Sequence, residues 1–205
     1  MPDPRLFLVA ALACAVPACS DDDDVLIDPV GVAVNDGQLR GSVLADTALG
    51  ELGGADYSVV IGKTASIVAA INDGEIAQND FARQVVFGDD IAAFAARNVD
   101  DHAAANEDLV DVVRIFGVGF IPSDTEADIV AQGSLGLENL MATPPSEIDF
   151  EFVELQVKNH ASNMVVLDQL RAMVADDEMG FFLDDMLAME DIHLQDSSDL
   201  YLSFF

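Results

Sequence analysis

The chain contains three histidines, His102, His160 and His193, and each falls on the apolar stripe of a segment with helical periodicity. His102 shares its face with Ile91, Ala95, Leu109, Val113 and Phe116. His160 lies with Val153, Val157, Met164 and Leu167, and His193 with Phe182, Met186, Met189 and Leu200. A fourth segment carries Glu75 on the stripe of Val68, Ile71, Ala82 and Val86. Three histidines all facing inward by chance is an outcome of roughly one in thirty on helical geometry. Their heights also agree. Glu75 stands 13 residues before Gly88 and His102 14 after it, while His160 stands 16 before Asp176 and His193 17 after it. In two antiparallel hairpins each pair then matches to about one rise of 1.5 Å. Side-by-side packing of the hairpins brings one carboxylate and three imidazoles together.

Burying such groups without partners costs several kcal/mol, so the pattern demands a compensating interaction. A transition-metal ion is one: three imidazoles and a carboxylate suit Zn²⁺, Fe²⁺, Mn²⁺ or Cu²⁺. Glu190, one turn before His193, offers a further oxygen and forms a Glu-x-x-His pair. The pair occurs once: Val99 and Val157 stand at the equivalent positions before His102 and His160, so a full di-iron ligand set is absent and ferroxidase chemistry is not expected. A metal-free hydrogen-bond network is the other reading, with Asn98, Asn106 and Gln156 on the same faces as partners. Asp101 points off the core face and reads as a carboxylate supporting a ligand from behind or as a surface group, and the methionines of the last two long segments read as core filler. No nucleophile elbow, phosphate loop, dinucleotide fingerprint or paired-cysteine motif occurs, and the segment Gly133-Ser134-Leu135-Gly136 lacks the surroundings of one.

The elements that must hold these groups are helices. Apolar periodicity and breakers predict helices over about 63–87, 90–117, 124–141, 147–175 and 178–197. Ser123-x-x-Glu126 reads as a capping box for the third, which ends at Thr143-Pro144-Pro145. The expected fold is all-α: a ferritin-like antiparallel four-helix bundle over 63–197 with a short crossover helix. Residues 19–62 read as an acidic tether and 198–205 as an apolar tail packed on the bundle.

Residues 1–18 read as a signal peptide, with Arg5 before an apolar run from Leu6 to Val16 that is too short to span a bilayer. The sequence Val16-Pro17-Ala18-Cys19 resembles a lipobox with proline at an unusual position. Cys19 would then be lipidated and anchor the protein to a membrane of the cell envelope, in the periplasm or at the outer membrane. Ordinary cleavage after Ala18 is the alternative. Cys14 lies within the signal segment, so the mature chain can form no intramolecular disulfide. With 8 basic against 38 acidic residues the net charge is −30, which disfavours nucleic acid as a partner.

Glu75-Ile76-Ala77, Phe94-Ala95, Asp101-His102, Ala105-Asn106-Glu107-Asp108-Leu109, Asp149-x-x-Phe152, Gln156-Val157-x-x-His160 and His193-Leu194 follow one another in an order that resembles a known family. It is the bacterial exported "predicted outer membrane protein" family, a ferritin-like domain of unknown function (domain-of-unknown-function family 4142). The resemblance spans roughly residues 63–197 and implies a ferritin-like bundle and an envelope address. It implies no activity. Phe152 stands where the family usually has tyrosine and Ile148 where it has phenylalanine, which weakens any role for a phenol. Two functions follow as expectations: a lipid-anchored, metal-binding bundle, or a metal-free structural or interaction lipoprotein.

Overall fold

The computed structural model describes residues 28–205, which form six α-helices and, among these residues, no strand. The signal segment and Cys19 lie outside the described residues. The helices are α1 (Pro29–Leu52), α2 (Tyr57–Val85), α3 (Asp89–Phe116), α4 (Asp124–Ala142), α5 (Ile148–Met173) and α6 (Glu178–Leu202). The short connection between α2 and α3 folds them against each other, and α5 and α6 pair in the same way. Contacts between α3 and α6 join the two hairpins, and α4 lies across α2.

Local chemistry fixes the ends. Ser123 and Glu126 form the expected capping box on α4, each accepting from the other's backbone N–H. The α3 N-terminus is held from a distance, because Asp149 of α5 accepts from the Phe87 and Gly88 N–H groups at 2.8 and 2.9 Å. Gly117 ends α3 in the left-handed region at φ 64°, where glycine adds no Cβ strain.

Two expectations are corrected. Residues 29–52 are a 24-residue helix where a tether was expected, started by Asp28 accepting from the Val30 N–H and by Pro29. Its buried side is small: Ala33, Gly37, Gly41, Ala45 and Ala48 recur at about every fourth position. α1 thereby lies close along α5, where a Cβ on Gly41 would sit 2.5 Å from the Ser162 carbonyl oxygen. Leu44 and Leu52 complete the buried side. The second correction is to the end of the last helix, since α6 continues to Leu202; Tyr201, Phe204 and Phe205 do pack against Phe150. No helix among the described residues is long and apolar enough to cross a membrane.

The core has two apolar halves. One holds Ile61, Ile67, Leu109, Leu167, Leu170 and Leu183; the other holds Phe94, Phe152, Val153, Val157 and Tyr201. Between them α2, α3, α5 and α6 contribute a polar layer that is fully enclosed.

Candidate metal centre

His102, His160 and His193 meet in that layer. Their exposures are 0, 0 and 1%, and one nitrogen of each lies within 4.8 Å of the others'. Ring centroids are 5.2–6.3 Å apart, and Phe94 sets its edge against His160 and His193.

Each imidazole uses one nitrogen outward. His102 Nδ1 bonds Asn72 Oδ1 at 2.9 Å, His160 Nδ1 bonds Glu190 Oε2 at 2.6 Å, and His193 Nε2 bonds Asp101 Oδ2 at 2.9 Å. The second nitrogens, His102 Nε2, His160 Nε2 and His193 Nδ1, are buried and have no protein partner.

The hydrogen-bond directions fix the bare nitrogen on two of the three rings. The Asp73 carboxylate can only accept, so the Asn106 amide donates to it at 2.9 Å. Asn106 Oδ1 therefore accepts from Asn72 Nδ2, at 2.9 Å, and Asn72 Oδ1 is left to accept from His102 Nδ1–H. His102 Nε2 is thus a lone pair. Asp101 does the same to His193, accepting from Nε2–H and leaving Nδ1 bare. Glu190 Oε2 shares one proton with His160 Nδ1 at 2.6 Å; with that proton on Nδ1, as metal binding requires, Nε2 is the third lone pair.

Burial holds all three imidazoles below their ordinary range. His102 is lowered well below it by burial and then by the two neighbouring rings. His160 is lowered by burial, with Glu75 opposing, and His193 by burial and His160, with Asp101 opposing. Neutral imidazole is the form that ligates a metal.

The two glutamates take different places from those expected. The cluster of mutually close ligand atoms contains the histidines alone among the described residues. Glu190 is wholly buried, but it reaches from α6 to the back of His160 on α5, which orients the ring. Glu75 is buried and accepts from Asn79 at 3.2 Å and Asn163 at 3.3 Å. Asn163 also donates to Glu190 at 3.3 Å, so one amide links the two carboxyls. Burial pushes Glu75 up and Glu190 up to about 8. Of the amides expected beside the histidines, Asn106 serves the His102 relay, while Gln156 accepts from Asn79 at 3.0 Å and Asn98 donates to Asn79 at 3.4 Å. Asn72, Asn79 and Asn163 were not expected as members. Helical spacing contains the signal: Asn72, Glu75 and Asn79 share a stripe, and Asn163 follows His160 by three.

Three nitrogen donors, each with its far side fixed, can hold a transition metal and leave a further coordination position open. Residues 58–200 match the family described as domain of unknown function (DUF4142), and the chain belongs to that family. No curated protein and no solved structure gives a significant match.

Proposed function

We propose that the protein is a lipid-anchored envelope protein that binds a transition-metal ion on His102, His160 and His193 within a ferritin-like bundle. The carrying observation is that three buried rings, each with one nitrogen that has no protein partner, bring a ligand nitrogen apiece within 4.8 Å of one another. A proton can satisfy few of them: placed on His160 Nε2 it has two facing lone pairs to serve and one direction in which to donate. A cation takes three lone pairs at once. Zn²⁺, Cu²⁺, Fe²⁺ and Mn²⁺ remain the candidates, with the all-imidazole set favouring the nitrogen-preferring ions over Mn²⁺. When bound, the ion would supply Lewis acidity at its open position, and Glu75, Glu190 and Asp101 would supply nearby negative charge. Two long hairpins, α2 with α3 and α5 with α6, and the intervening α4 support the ferritin-like connectivity. The lipid anchor rests on Cys19 and the segment before it.

The test is elemental analysis of mature protein made without a histidine tag, after equilibration with mixed divalent metals and desalting. About one equivalent per chain, abolished in His160→Ala, is expected of a structured site. Binding below about 0.2 equivalents that His160→Ala leaves unchanged would favour the metal-free structural lipoprotein, since a formed site is near saturation. A mass spectrum of the membrane fraction tests acylation of Cys19.

A further inference from the structure

His193 differs from the other two histidines in one respect: it also lines an outer cleft of about 430 Å³ between α3 and α6. The residues around that cleft include the carboxylates of Asp101, Asp108 and Asp185 and the side chains of Met186 and Met189, and no basic residue. Asp101, which fixes His193, has a side chain 42% exposed, whereas Glu190 behind His160 is wholly buried. The His193 ring therefore joins the solvent side to the interior: Nε2 meets Asp101 of the cleft and the bare Nδ1 belongs to the enclosed cluster. His102 and His160 do not line this cleft. On another face an opening reaches Glu75 and Asn163, but it is about 40 Å³ and Arg40 stands in it. A cation entering there meets a fixed positive charge and a space about a tenth the size of the α3/α6 cleft.

Resting on the metal-binding reading above, we infer that the α3/α6 cleft is the entrance through which the cation reaches the histidines, and that His193 is the first of the three to take it. Asp108 and Asp185 raise the local cation concentration at the mouth. Asp101 holds His193 across the inner end, so a rotation of this one ring, which breaks one hydrogen bond, opens the way to His102 and His160.

An entrance governs rates in both directions and leaves the equilibrium alone. The exposed residues Ala104 and Ala188 line the cleft and allow it to be plugged without disturbing the core. Co²⁺ uptake is followed by its visible absorption in stopped flow, and release by excess chelator, for wild type, the double variant Ala104→Phe/Ala188→Phe, and Gln132→Phe, which plugs the smaller opening. Expected is a slowing of both uptake and release of about tenfold or more in the double variant, with Kd within about twofold of wild type and Gln132→Phe unchanged. Normal rates in the double variant, or slowing in Gln132→Phe alone, overturn the entrance while leaving the site standing. Wild-type protein that gives no Co²⁺ spectrum overturns the site itself, and the entrance with it.

Discussion

His160 Nδ1 and Glu190 Oε2 lie 2.6 Å apart with both side chains wholly enclosed, so a single proton position is shared between a base and an acid that water does not reach. In the cation-free protein burial pushes Glu190 up to about 8 from 4.5, and the unfolded chain returns it to its ordinary value. The folded state then holds a proton that the unfolded state releases, so stability falls as pH rises through that interval, at up to about 1.4 kcal/mol per pH unit. Glu75, raised in the same way by burial, adds to the slope. The imidazoles act oppositely, because their lowered values contribute stability that is present above about 6.5 and lost as pH falls. The interval from pH 6.5 to 8 thus isolates the carboxyls. Chelated protein is expected to melt at lower temperature as pH rises across it, while Co²⁺-saturated protein does not. A chelated protein whose melting temperature is flat there would refute the assignment.

The relay from Asp73 through Asn106 and Asn72 to His102 predicts action at a distance. Asn72→Ala removes the acceptor that fixes His102 and is expected to weaken metal binding by about tenfold to a hundredfold. Asn106→Ala touches no histidine, yet it frees the Asn72 amide to turn, and a smaller loss in the same direction is expected. Competition with a chromophoric chelator measures both. Affinity unchanged in Asn106→Ala would confine the effect to Asn72.

Gly41 tests whether α1 is an integral part of the molecule. A leucine there drives side-chain atoms into the Ser162 backbone and the Val165 side chain of α5, where even a Cβ is too close. Overpacking of this kind costs about 1–3 kcal/mol. Urea denaturation should show that loss, and limited proteolysis should cut first within 29–52. Unchanged stability would mean that α1 contributes nothing to the folded core.

Asp149 spans two helices by accepting from the Phe87 and Gly88 N–H groups in front of α3. Asp149→Ala leaves those donors without a protein partner and is expected to cost about 1 kcal/mol, the usual worth of an N-terminal cap. Asp149→Asn, which keeps an acceptor, should recover part of it. Thermal unfolding of the pair decides the matter.

Much of this arrangement is legible in the residues. Helical period places His102, His160 and His193 on inward faces, and counting from the turns puts them at one height, which is where the structure has them. Period does not fix rotamer. Glu190 and His193 share a face of α6, and the natural expectation is that both point at one ion, but the Glu190 side chain crosses to His160 instead. Glu75 is likewise turned toward Asn79 and Asn163. α1 is missed for a different reason: Gly31, Gly37, Gly41 and Gly50 read as helix breakers, although Asp28-Pro29 is a clear helix start.

The enclosed polar layer between two greasy halves also constrains how the chain can assemble. Were α6 to slide one turn along α5, a shift of about 5.4 Å, Glu190 and His193 would be carried into hydrocarbon and their partners stranded. Apolar halves alone tolerate such slippage better, since one hydrophobic contact substitutes for another. The same side chains that can grip an ion thereby act as an alignment key, rejecting the shifted packings that an oily interior would accept.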